Sequence, residues 1–112
     1  MTESDLGRIL SELFAAATQV FQEAMRSMIL YGSYARGNYD KESDIDVLVL
    51  ADIPNDACWS YRKRLTNVID RLSLQYDVVV SLHIIDCETF ERWENVVPFY
   101  RNIKQEGVII SA

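Results

Sequence analysis

Apolar residues recur at helical spacing over the first 25 positions: Leu6, Ile9, Leu10, Leu13, Phe14, Ala17, Phe21 and Met25 fall on one stripe of a 3.6-residue period. Thr2 or Ser4 can cap the start of that helix by accepting a backbone N–H. The pattern then shortens. Ser27 to Tyr31 is an apolar run closed by Gly32, and Ile45 to Leu50 is a denser one bounded by the charged stretch Asp40 to Asp46 and by Pro54, so both read as strands of a mainly buried sheet. Tyr61, Leu65, Val68, Ile69 and Leu72 mark a second amphipathic helix, and the β-branched run from Asp77 to Ile85 a third strand that starts at Asp77. From Thr89 the spacing is helical again. Pro98 suits the first turn of a further short helix, Gly107 an αL position at its end, and Val108 to Ile110 is a last apolar stub. This order predicts an α/β (α+β) fold, a small mixed sheet with helices packed on it, in one domain over residues 1–112.

Length and charge narrow what such a domain can do. A chain of 112 residues can build one hydrophobic core but not a second substrate-binding lobe, so a large acceptor would be held partly by another molecule. Eleven basic against 17 acidic residues give a net charge of -6, and the basic ones are scattered, which is the wrong field for tracking nucleic-acid phosphates unaided. Cys58 and Cys87 have neither zinc-ligand spacing nor the density of a disulfide scaffold and read as thiols of a reducing compartment. No stretch approaches the ~20 apolar residues of a membrane span, and the acidic N-terminus is unlike a signal peptide, so the expected location is the cytoplasm, with no membrane contact. Trp59 and Trp93 are expected to pack in the core or between helices, His83 to be a partly buried structural histidine, and Arg62-Lys63-Arg64 to form a solvated helix face.

Asp44 and Asp46 carry the chemistry. They stand two apart at a strand start, and with period-two alternation both carboxylates point to one face, where two like charges call for a cation. Oxygen ligands with no accompanying His or Cys favour Mg²⁺ or Mn²⁺ over zinc. Gly32-Ser33 ends the preceding strand and opens Tyr34-Ala35-Arg36-Gly37, a stretch able to form one helical turn whose free N–H groups and Ser33 hydroxyl would hold phosphate oxygens. Gly32 lets a phosphate approach the backbone. Arg36 has two readings, a phosphate contact or an ion pair with Asp40 or Glu42. The modest loop between the first two strands makes them antiparallel, while the helical connection makes the second and third parallel. Asp77, at the start of the third, is therefore expected beside Asp44 and Asp46 as a third carboxylate for two-metal phosphoryl transfer.

The string Leu30-Tyr31-Gly32-Ser33-Tyr34-Ala35-Arg36-Gly37, followed by Ser43-Asp44-Ile45-Asp46-Val47-Leu48-Val49, resembles the Gly-Ser-x10-Asp-x-Asp signature of the DNA polymerase beta-like nucleotidyltransferases. Within that superfamily the size, the Gly-Ser-Tyr-Ala-Arg-Gly wording and the ending Pro98 to Val108 are similar to the minimal nucleotidyltransferases, the MntA-like antitoxins paired with HEPN-domain toxins. The resemblance implies the nucleotidyltransferase fold, with Gly32 and Ser33 at the nucleotide phosphates, Asp44 and Asp46 on metal, and Asp77 binding metal or taking the acceptor's proton. It also implies AMP transfer from ATP to a hydroxyl, a tyrosine of a HEPN toxin. Two alternatives stand beside it: a binding module that neutralises such a toxin stoichiometrically, and a small-molecule nucleotidyltransferase, for which this chain lacks an acceptor domain. The sequence leaves homo- or hetero-oligomerisation open.

Overall fold

The computed structural model describes residues 1–110. Helix α1 spans Glu3–Phe21, and Thr2 Oγ1 accepts the Asp5 N–H at 3.0 Å while Glu3 and Asp5 place negative charge at the positive end of the helix. The helix does not reach Met25 as its spacing predicts. Gln22 takes a positive φ of 51°, a 3₁₀ turn over Gln22–Ala24 follows, and Met25 opens strand β1, Met25–Tyr31, where it pairs with Ala51. Pairing with the sheet overrides the helical period there.

Strands β2, Ile45–Ala51, β3, Val80–Asp86, and β4, Val108–Ile110, complete a four-stranded sheet ordered β3-β2-β1-β4. β1 is antiparallel to β2 and to β4, and β3 is parallel to β2. The apolar stub is thus an edge strand. A single turn, α2, Ser33–Arg36, stands between β1 and β2, and α3, Cys58–Tyr76, makes the crossover between the parallel strands. Helices α4, Cys87–Trp93, and α5, Pro98–Glu106, follow β3. Gly107 ends α5 with φ -69°, not in the expected αL conformation; a Cβ there would overlap Ile29 Cγ2, so the glycine serves the close approach of the chain to β1. Among the described residues no helix is long and apolar enough to cross a membrane.

Alternation divides the sheet into two faces. Ile45, Val47, Val49 and Ala51 join Met28, Leu30, Val80 and Leu82 against Ile9, Leu13, Ala17 and Phe21 of α1 and Leu65, Ile69 and Leu72 of α3. The other face carries a smaller cluster of Ile29, Leu48, Phe90 and Ile103, roofed by α4 and α5. Leu48 is fully buried in it, and shortening it to Ala is expected to cost ~2–5 kcal/mol. Asp86 is buried at the junction of β3 and α4, where its carboxylate accepts from Thr89 N at 3.0 Å and Asn55 Nδ2 at 2.9 Å. Burial alone would raise its pKa; those hydrogen bonds outweigh it and hold the carboxyl below its ordinary value.

Candidate active site

Asp46 lies at the start of β2 on the second face, and Asp44 just before that strand. Strand β2 begins at Ile45, whose N–H donates to Val79 O at 2.9 Å, and its alternation sends Ile45 and Val47 into the main core and Asp46 to the other side. Across the ladder Asp46 faces Tyr31 of β1 and runs beside Ser81 of β3. Its carboxylate lies directly against Gly32, where a Cβ would overlap Asp46 Oδ2, and Gly32 holds φ +76° and ψ -157°, a region open essentially to glycine. Partial burial first, and the Asp44 charge second, raise the Asp46 pKa, with His83 and Arg36 pulling the other way.

Turn α2 follows Gly32 directly. Tyr34 is buried and stacks on Tyr39 at 4.2 Å, tying the turn to the body of the domain, and Gly37 closes it in the αL conformation. The N–H groups of Ser33 and Tyr34, at the start of the turn, have no intrahelical acceptor. Asp40 organises the loop that follows by accepting from Glu42 N at 2.8 Å, and Ser43 Oγ accepts from Asp40 N at 3.0 Å. Arg36 therefore pairs with neither Asp40 nor Glu42. Its guanidinium is 3.7 Å from Glu106 of α5, an exposed contact worth little and easily exchanged for a phosphate.

Asp77 is not where the sequence places it. It is the C-terminal cap of α3, in the αL conformation at φ 51°, and β3 begins three residues later at Val80. It lines a shallow hollow with Asp44, Ser43 and Lys41, but no group of three or more His, Cys, Asp or Glu side chains able to hold a metal occurs among the described residues. The β3 position beside Asp46 belongs to Ser81. Asp77 ends the helix because Asp tolerates αL, and it stands before the sheet edge, across the hollow that it shares with Asp44.

Aromatic residues complete the site. Tyr31, His83 and Phe99 form an aromatic wall beside Asp46: the Tyr31 hydroxyl is hydrogen-bonded to His83 Nδ1 at 2.9 Å, and Phe99 packs edge-on against both rings at 5.6 and 6.3 Å. His83 is exposed, not a partly buried structural residue. The parity of β3 in a parallel pairing with β2 was the signal that would have placed it on the face of Asp46. The tryptophans are likewise outside the core: Trp59 is 65% and Trp93 41% exposed, with Lys63 over the Trp59 ring. Arg62 is half-buried and donates to Leu82 O at 3.3 Å, so only Lys63 and Arg64 form the solvated face. Cys58 and Cys87 are free thiols.

A cavity of about 200 Å³ adjoins Gly32 and Arg36, walled by Tyr31, Phe99, Asn102 and Glu106. A larger hollow of about 570 Å³, between α1 and the end of α3, is open and lies away from the carboxylates. The small cavity borders the glycine turn, and the hollow lined by Asp44 and Asp77 borders the carboxylates.

Residues 12–110 match the family described as nucleotidyltransferase domain. A candidate protein adenylyltransferase of Methanocaldococcus jannaschii is 31% identical over 103 residues, covering 92% of this chain and 95% of its own. A second from the same organism is 35% identical over 74 residues, 65% of this chain and 72% of its own. Among solved structures, a toxin–antitoxin with AMP-PNP superposes with a TM-score of 0.52 at 20% identity, over 88% of this chain and 69% of that one. At that identity the likeness shows the fold.

Proposed function

The chain belongs to the nucleotidyltransferase domain family, and on that premise we propose that it transfers AMP from ATP to a hydroxyl of a separate protein, in the manner of an antitoxin that silences a HEPN toxin at a tyrosine. The observation that carries the reading is the pair Asp44, one residue before β2, and Asp46 on it, with the second carboxylate pressed against a glycine at the mouth of a turn. The donor set fits Mg²⁺. That ion is commonly held by one or two carboxylates, the rest of its shell coming from water and substrate phosphates, so two aspartates with no third ligand suit a metal that arrives with its nucleotide. Asp44 and Asp46 would hold it. When bound, the metal neutralises phosphate charge and acts as a Lewis acid at the transferred group.

The chain's own residues bind and orient. Gly32 keeps the space beside Asp46 open for a phosphate oxygen, the Ser33 hydroxyl and first-turn N–H groups donate to it, and Arg36 leaves Glu106 to add a positive charge. The acceptor docks on the apolar rim, where Trp93, Val96 and Phe99 are exposed and Phe99 reaches the ring of Tyr31. The curated relatives' names support a protein acceptor, and the net charge of -6 argues against a free nucleic acid.

Calorimetry tests the nucleotide site: ATP is expected to bind with Mg²⁺ and not with EDTA, because the carboxylate edge repels a bare triphosphate. Mass spectrometry of the chain co-expressed with a HEPN protein encoded beside it tests the transfer. The lack of a third clustered carboxylate gives one competing reading weight, a stoichiometric binder. No adenylyl mass on the partner, together with full neutralisation by an Asp44→Asn/Asp46→Asn double variant, would leave that binder in place of the enzyme.

A further inference from the structure

Phosphoryl transfer to a hydroxyl needs a place for the hydroxyl's proton, and the carboxylates here are committed or remote: Asp44 and Asp46 face the nucleotide, Asp77 caps α3, and Ser81 occupies the β3 position beside Asp46. Resting on the transferase reading above, we propose that His83 accepts that proton through Nε2, with Tyr31 fixing the ring. The acceptor oxygen forms its bond to the α-phosphorus as the bond from that phosphorus to the pyrophosphate oxygen breaks; the hydroxyl proton passes to Nε2, giving an imidazolium, and then to solvent.

The geometry supports each part. His83 registers with Leu48 on β2, and its ring reaches over that strand to the Tyr31 hydroxyl of β1, 2.9 Å from Nδ1, while Phe99 of α5 packs on both rings. A surface histidine held from two strands and a helix has lost the freedom that an idle one keeps. Burial first, and the Asp46 charge second, push the Tyr31 pKa up to about 12, so it stays a neutral phenol whose oxygen can accept an N–H. With Nδ1–H given to Tyr31, the Nε2 lone pair is free, on a side chain that is exposed. The groups around the ring are Asp46 and Leu48 from β2, Tyr31 from β1, Phe99 from α5 and Arg62 from α3; no hydrogen bond joins His83 to Asp46.

His83 is the chain's one histidine, so its ring nitrogens give unambiguous ¹⁵N signals. In the metal-free wild type at alkaline pH the expected state is Nδ1 protonated and Nε2 bare, and Tyr31→Phe is expected to shift the ring toward the Nε2–H form. With Mg²⁺, ATP and the unmodified acceptor protein, His83→Gln is expected to lower transfer by ~10²–10⁴-fold while Mg-ATP affinity changes less than about twofold. A wild type found in the Nε2–H form, or His83→Gln transferring at the wild-type rate, overturns the assignment. Asp46→Asn separates the two claims. Transfer by His83→Gln with none by Asp46→Asn removes only the role of His83, whereas no transfer by wild type removes the transferase reading and this assignment together.

Discussion

Replacing Gly32 by Ala tests whether the turn and the carboxylate are built as one unit. Two costs add. The backbone at φ +76° and ψ -157° lies outside what an L side chain adopts, worth ~1–3 kcal/mol, and the new Cβ would overlap Asp46 Oδ2, with Asp46 Cγ at 3.2 Å, an overpacking cost of ~1–3 kcal/mol. The single variant should lose ~2–6 kcal/mol, or on the order of 10–25 °C in Tm for a domain of this size. Asp46→Ala keeps only the Cβ, at 3.4 Å from the added methyl, so it removes the overlap but leaves the dihedral cost. A double-mutant cycle by urea unfolding in EDTA should therefore show Gly32→Ala costing ~1–3 kcal/mol less in the Asp46→Ala background. Additive losses, or a Gly32→Ala melting point within about 2 °C of wild type, would refute the contact and with it the cramped cradle.

Asp46→Asn should abolish transfer by at least ~10²-fold yet leave the metal-free protein as stable or more so. Because the folded pKa of Asp46 is raised, its contribution to stability is present at low pH and lost as pH rises through that pKa, so the variant's advantage in urea should grow as pH rises above the ordinary carboxylate value and vanish below it. Asp77→Asn should keep activity within about threefold and raise stability by ~0.3–1 kcal/mol, since Asn tolerates αL and the change removes a negative charge from a helix C-terminus; loss of Mg-ATP binding would return Asp77 to the metal site. Asp86→Ala should cost ~1–3 kcal/mol at pH 7, measured by denaturation, as the α4 cap and the Asn55 partner are lost together. The sign for Asp86 is opposite to Asp46: its pKa is lowered, its stabilisation holds above the ordinary carboxylate value, and acid should narrow the gap to wild type.

The order of elements, the mixed sheet and the placing of Asp46 at the start of β2 are readable from periodicity, because each rests on local spacing. Gly32 is legible for a related reason: a glycine at a strand end marks a conformation that other residues resist. Asp77 was misplaced because β-branched Val78 and Val79 extend the strand pattern backward, while the true boundary is set by the capping conformation of α3, which composition does not reveal. The grouping of His83 and Phe99 with Tyr31 is not legible, since it arises from a contact between β1, β3 and α5. The tryptophans show the limit of assigning large rings to the interior: most of the core needed by a domain this small is filled by Leu, Ile and Val.

β2 sits inside the sheet with core residues at odd numbers and Asp46 at an even one, so inserting a single residue within Ile45–Ala51 would turn the carboxylate inward and the valines outward. The loop from 38 to 44 is held more loosely, since only Tyr39 packs against the core and the rest is a polar turn around Asp40. The two halves of the site are thus held under different tolerances: the distance along the chain between the glycine turn and the aspartates can vary, while the phase of the aspartates cannot. A designer altering this domain for a bulkier nucleotide would lengthen that loop and leave the strand untouched, because any sequence that puts Asp46 out of phase fails to fold before it fails to react.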